Sequence, residues 1–301
     1  MKASVFYIFY VINWIITLLP LRILFIFSDF FFLLLYYFPG YRKNIVMTNL
    51  RNSFPEKSDE ELKSIARKFY RHLADMPVEV LKITHLSRRQ LKKRCRIENI
   101  ELIQKLYSEG RDIAAVMGHY NNWEYLTVIA LLTKYRCIAI YRPLKNKYFD
   151  RFLLKLRSKY NMVLSPMSQV VRDIIACKNR GEKIIVSFLT DQTPACGDIN
   201  YWTRFLNQDT PVYLGAGKIA SKYDMAVVFF NIRKVKRGYY SVNLELLFDH
   251  TSGVPAEQIT ETHVKRLEKI IMEKPEFWLW SHRRWKYKRT ISDGQNSSSH
   301  S

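Results

Sequence analysis

No stretch of twenty uninterrupted apolar residues occurs in this 301-residue chain, and acid is scarce: 27 Asp and Glu stand against 48 Lys and Arg, a formal net charge of +21. The four cysteines, Cys95, Cys137, Cys177 and Cys196, lie far apart. There is no C-x-x-C and no Cys/His spacing of the zinc type, so nothing asks for a metal, and the thiols read as inert groups of a reducing compartment. No internal repeat is visible. RNP-like aromatic motifs and zinc patterns are also missing, which argues against a nucleic-acid binder even though the charge alone would allow one. What the acid shortage does imply is a polyanionic partner: an anionic membrane surface or a phosphorylated substrate.

Apolar residues make up 48% of the chain, and they crowd into residues 3–38. Val5–Leu19 is one run, broken by Pro20 and Arg22; Ile23–Phe38 is a second, carrying Asp29 and closed by Pro39-Gly40. Each holds about 15 residues, short of the ~20 that a perpendicular spanning helix needs. An Asp at mid-bilayer costs roughly 2.5–3.5 kcal/mol, so the second run does not suit a square crossing. No small-residue cleavage site follows the first run, which disfavours a removable signal peptide. Tyr7, Tyr10, Trp14, Tyr36 and Tyr37 suit an interfacial location. Two readings stand, a spanning or re-entrant membrane anchor and a helical pair buried against the main domain; length and aromatic content favour the anchor. The basic residues from Arg42, Lys43 and Arg51 onward place the main domain on the cytoplasmic side. The expected organisation is an anchor over 1–40, a main domain over 41–292 and a disordered tail over 293–301, Ser-rich from Asn296.

Beyond the anchor, Ser58 with Glu61 has the form of a capping box opening a helix through Ala66, Phe69, Tyr70 and Leu73. Residues 77–108 continue as helix and connector. Strands are expected at 112–117, 137–141, 183–189, 225–232 and 240–247. Helices are expected at about 122–132, 149–160, 169–179, 212–222 and 256–273. Strands alternating with helices predict an α/β domain with a central sheet flanked by helices.

The chemistry-bearing cluster is Gly118-His119-Tyr120-Asn121-Asn122-Trp123-Glu124, directly after a buried strand, where α/β folds place ligand-binding loops. A histidine there can take the proton of an alcohol, because its ordinary pKa lies near neutrality. On one continuous helix, Glu124 would sit about 140° from His119. The two therefore meet only if His119 lies in the turn and Glu124 in the first helical turn, with Asn121 or Asn122 as the cap. Glu124 would then hold the imidazole tautomer, as the acid of a catalytic triad does. Asn121-x-x-Glu124 is equally close to a capping box, which would make Glu124 a helix cap.

His119-x4-Glu124 after an apolar strand resembles the HX4(D/E) signature of the lipid A secondary (late) acyltransferase family. Other segments match in the family's order over roughly residues 1–290. Tyr41-Arg42-Lys43-Asn44, Asn49-Leu50 and Phe54-Pro55-Glu56 resemble its entry segment, and Tyr141-Arg142-Pro143 its YRP strand end. Asp191-Gln192 resembles its DQ turn, and Trp280-Ser281-His282-Arg283-Arg284 its closing block. Asn121 departs from the small residue, often Gly, common at its position, and Thr190 stands where many members have Pro. The resemblance implies a fold like that of glycerol-phosphate acyltransferases, with no cofactor.

It also implies transfer of a fatty acyl chain from a thioester, usually on acyl carrier protein, to a hydroxyl of an anionic glycolipid, a lipid A precursor. The implied location is the cytoplasmic face of the bacterial inner membrane. Another glycolipid or aminolipid acceptor, or acyl-CoA as donor, fits the same chemistry. By the likeness, His119 deprotonates the acceptor hydroxyl and Glu124 orients His119, with no acyl-enzyme. Arg142 would stabilise the oxyanion or bind an acceptor phosphate, with an ordinary salt bridge as the alternative. Asp191, Gln192 and Asn122 are expected to shape the substrate pocket, a turn-forming role for Asp191 being the alternative. Trp278, Trp280, Trp285, Arg283, Arg284, Lys286 and Lys288 would form an interfacial patch, with core packing as the other reading for the tryptophans.

Overall fold

The computed structural model describes residues 3–38 and 40–289. Pro39 and the expected tail over 293–301 lie outside the described residues. In order, the chain forms α1 (Ala3–Ile16), α2 (Leu21–Tyr37), α3 (Lys43–Ser53), α4 (Asp59–Lys82), α5 (Arg88–Arg94), β1 (Cys95–Ile97), α6 (Glu101–Ser108) and β2 (Ile113–Met117). Then follow β3 (Arg136–Tyr141), α7 (Lys147–Ser158), β4 (Val163–Pro166), α8 (Val170–Asn179) and β5 (Ile184–Leu189). The last part holds β6 (Trp202–Phe205), β7 (Gln208–Pro211), α9 (Gly215–Tyr223), β8 (Ala226–Lys236), β9 (Tyr239–Phe248) and α10 (Ala256–Glu273).

Seven strands make one mixed sheet in the order β1-β9-β8-β2-β5-β3-β4, so the expected α/β architecture is present. β8, β2, β5, β3 and β4 are mutually parallel; β9 runs antiparallel to β8, and β1 lies parallel to β9. All five residues of β2 are buried. That is why Ile113-Ala114-Ala115-Val116-Met117 reads as an unbroken apolar run: helices cover both faces of a parallel strand. The register pairs Met117 with Leu189, which brings the loops that follow β2 and β5 side by side. β1, β4 and the separate β6–β7 hairpin were not anticipated. They are three or four residues long, too short to show a period.

The capping box at Ser58 and Glu61 is present. Ser58 accepts from the Glu61 amide, and the Glu61 carboxylate accepts from the Ser58 amide, at the positive end of α4. α4 buries Leu62, Ala66, Phe69 and Tyr70 at helical spacing and continues past Pro77 to Lys82. The Lys82 ammonium donates to the Thr17 and Leu19 carbonyls, closing the C-terminal end of α1 with a positive charge.

At 14 and 17 residues, α1 and α2 are about 21 and 26 Å long, against a hydrocarbon core of ~30 Å. No helix among the described residues is long and apolar enough to cross a membrane. Asp29 does not face lipid unpaired. Its two oxygens accept from Arg237 Nη1 and Nη2, both at 2.9 Å, from the turn between β8 and β9. The same guanidinium donates to Asp75 of α4, which is 1% exposed and also accepts from Ser28 of α2 and Lys234 of β8. This network clasps α2 to the α/β body. Replacing Arg237 with Ala leaves the buried Asp75 with Lys234 as its remaining cation and leaves Asp29 only the largely exposed Arg71, 3.9 Å away. The variant should lose roughly 2–4 kcal/mol in urea-induced unfolding. A wild-type midpoint would mean that α2 is held by its apolar contacts alone.

Candidate active site

Gly118 follows β2 because nothing larger fits. An added Cβ would lie 2.7 Å from two Leu267 methyls and 3.1 Å from Asp191 Oδ2. The next residue turns its backbone amide onto Asp191 Oδ2 at 2.8 Å, and its imidazole Nδ1 lies 2.6 Å from Asp191 Oδ1. A carboxylate only accepts, so Nδ1 carries a proton, and in the neutral ring the lone pair is then on Nε2. Gln192 Nε2 donates to it at 3.1 Å. The Trp123 ring stands edge-on to the imidazole, with centroids 4.7 Å apart.

Asp191 is sealed in: its side chain is 3% exposed and takes a third hydrogen bond from Trp278 Nε1 at 2.8 Å. Burial pushes its carboxyl up. The His119 charge and the hydrogen bonds from His119 and Trp278 overcome that and hold it at about 2. Arg284, buried among the same segments, adds a positive charge that attracts Asp191.

The expected partner of His119 is elsewhere. Glu124 does sit early in the helix after the turn, as required, but that helix is 3₁₀ over Trp123–Leu131 rather than α over 122–132. Its carboxylate takes Arg157 of α7 in a two-pronged pair, with Nε to Oε2 at 2.9 Å and Nη2 to Oε1. Among the described residues no hydrogen bond joins Glu124 to His119; Asp191 holds the tautomer instead. Neither Asn caps the helix. Asn121 has φ +54° and donates to the Ile232 carbonyl, while Asn122 donates to the fully buried Glu79 at 2.7 Å. The left-handed backbone at 121 is the conformation glycine adopts most cheaply, and Asn tolerates it better than most residues.

Glu124 and Arg157 line a small cavity, about 90 Å³, whose other walls include Met117, Leu126, Ile140, Leu164, Leu189 and Phe230. Arg157 was missed because an arginine in an amphipathic helix has no sequence mark of its own; only the fold brings α7 under the Trp123 turn. Arg142 is exposed just past β3. The register sets it level with Gly118 and two strands away, about 10 Å, with neither Asp nor Glu paired to it among the described residues. Trp278 and Trp280 are not part of a surface patch. They are 2% and 0% exposed, and Arg284 is 1% exposed, because Trp278 serves Asp191 and Trp280 packs on Phe54.

Asp191 sits below its ordinary value, so its charged form stabilises the fold fully above about pH 4 and loses that effect as pH falls towards about 2. Asp191→Asn should flatten that acid limb: between pH 4 and 2 its unfolding midpoint should fall less than that of the wild type. Parallel curves would show that Asp191 is not held as an anion.

The family model for bacterial lipid A biosynthesis acyltransferases matches residues 1–287. Among curated proteins, the chain is 23% identical over 247 residues to the lipid A biosynthesis palmitoleoyltransferase of Escherichia coli (strain K12). That alignment covers 81% of this chain and 79% of the relative. Identity and coverage are the same for the lipid A biosynthesis acyltransferase of Shigella flexneri. A match over nearly the whole length, on a fold that joins His119 to Asp191 and Glu124 to Arg157, makes this chain an acyltransferase of the bacterial lipid A biosynthesis family.

Proposed function

We propose that the chain transfers a fatty acyl group from acyl carrier protein to a hydroxyl of a lipid A precursor, with His119 as the base. The observation that carries this reading is the contact of Nδ1 with Asp191: a donating Nδ1 leaves Nε2 of the neutral ring as the acceptor, beside the Gln192 amide. The acceptor hydroxyl displaces the Gln192 amide and gives its proton to Nε2 as its oxygen attacks the thioester carbonyl. The tetrahedral intermediate collapses by breaking the C–S bond, and the departing thiolate takes the proton back from His119. Asp191 stabilises the imidazolium in between. The products are an ester and the carrier's thiol, and no acyl-enzyme is required.

Glu124 acts through Arg157 on this reading. The pair stands at the wall of the apolar cavity, so Arg157 is our candidate for the thioester oxyanion and the cavity for the start of the acyl chain. At about 90 Å³ the cavity is too small for a long acyl chain, so its walls must part to admit one. Arg142, exposed just past β3, suits an anionic group of a substrate better than the oxyanion. Asn122 supports the loop through Glu79 rather than touching substrate.

The enzyme works at the cytoplasmic face of the inner membrane, with α1 and α2 lying in the interface. Ile26 and Phe30 of α2 are 67% and 62% exposed, and Tyr7 and Ile8 of α1 are 59% and 61% exposed. Large apolar side chains in such rows need a lipid surface to cover them.

The test is transfer of labelled acyl chain from acyl carrier protein to a purified lipid A precursor. His119→Ala should cut the rate by about 10²–10⁴-fold, and Glu124→Gln by about tenfold or more through a displaced Arg157. Full activity in His119→Ala would remove the base from this mechanism. A wild type that is inert here but active on a total lipid extract would move the acceptor elsewhere.

A further inference from the structure

We propose that a second site, the cleft between the end of α2, the start of α3 and the closing segment 281–284, holds a phosphate of the acceptor glycolipid. The proposal rests on the acyl-transfer reading above. The cleft is about 580 Å³, and its lining includes Arg42, Lys43 and Arg283 but no carboxylate. Several cations that hold elements together are paired with acids: Arg111 with Asp224, Arg157 with Glu124, Arg237 with Asp29 and Asp75, and Arg266 with Glu245. None of the three cleft cations forms a salt bridge among the described residues. Three converging positive charges without an acid repel one another, and an anion that fills the space removes the repulsion. α3 begins here at Lys43 with no side-chain cap, which adds the positive end of its dipole to the same field.

The position of the cleft ties it to the base. Arg42 Nη1 donates to the Ser281 carbonyl at 3.0 Å. Arg283's carbonyl accepts from Thr193 Oγ1, and Thr193 directly follows Gln192, whose amide touches His119. On this proposal one ligand seats an anion in the cleft and presents a hydroxyl to Nε2. The rim on the α2 side is apolar: Tyr37 and Phe38 are 59% and 70% exposed. Inorganic phosphate would fit the cations but leave that rim uncovered. A phosphorylated glycolipid matches both, with its head in the cleft and its acyl chains along α2.

The experiment uses the full chain and phosphatidylcholine vesicles carrying a low mole fraction of an acylated glucosamine disaccharide, either phosphorylated or with its phosphate removed. Wild type should bind the phosphorylated lipid about tenfold more tightly, and Lys43→Gln with Arg283→Gln should bring the two affinities together. Arg42 is left in place because it holds the Ser281 carbonyl. Lys43→Arg with Arg283→Lys keeps both charges and should keep the preference, and the double Gln variant should unfold in urea at the wild-type midpoint, so a fold defect is distinguishable from a lost contact.

The proposal is overturned if wild type shows no preference, or if the double variant retains it. It is equally overturned if phosphatidylglycerol vesicles compete as well as the glycolipid, or if inorganic phosphate does so at the lipid's concentration. Acyl transfer without phosphate preference would sink the subsite and leave the function standing. Preference without transfer would keep the subsite and sink the function.

Discussion

A carboxylate shut away from water must be given hydrogen-bond donors, and Asp191 receives three from two distant parts of the chain: the His119 amide, the His119 ring and the Trp278 indole. That requirement fixes much else. Gly118 must lack a side chain so that the loop can approach. Trp278 must be inside, so the segment that follows α10 crosses over the end of the sheet. The segment is then held by its own carbonyls: Asn49 donates to those of Trp280 and His282, Arg42 to that of Ser281, and Thr193 to those of Arg283 and Arg284. The entry segment and the closing block, far apart in sequence, meet because both serve the surroundings of one buried anion.

The two acids near the Trp123 turn are divided by charge as well as by place. Asp191 is matched to an imidazole, a base whose proton can leave, while Glu124 is matched to a guanidinium that stays charged at any physiological pH. A carboxylate shared between His119 and Arg157 would have its charge largely spent on the arginine and would stabilise the imidazolium less. Separate partners let the histidine change protonation state without disturbing the cation at the cavity wall. Glu79 supports the arrangement from below. Burial pushes its carboxyl up, Tyr240 and Asn122 donate to it, and through Asn122 it ties the loop after His119 to α4 and β9.

Most long elements are legible in the sequence because their signals are local. The box at Ser58 and Glu61 marks the start of α4, the periodicity over 256–273 gives α10, and Ile184–Leu189 is an apolar run bounded by polar residues. His119 is legible by its position after such a run. Its partner is not, because H-x4-E spacing draws the eye to Glu124, whereas Asp191 lies 72 residues away. The strands β2 and β5 can each be read, but their adjacency cannot; once Met117 faces Leu189, residues 119 and 191 fall side by side without further adjustment. Arg157 and the Asp29–Arg237 clasp escape for the same reason, since each pairs elements whose neighbourhood only the fold decides.

The clasp also bears on how α2 can meet a membrane. With Asp29 bound to Arg237 and Ser28 bound to Asp75, one side of α2 is committed to the α/β body, and Ile26 and Phe30 point away from it. A helix that crossed the bilayer would have to break both contacts and carry Asp29 into hydrocarbon, leaving the buried Asp75 with fewer donors; each step is costly. Lying in the interface, as proposed above, would require neither. It would cover the outward apolar rows and bring the cationic cleft at the end of α2 to the level of lipid headgroups, so that an acceptor could reach His119 with its acyl chains still in the membrane.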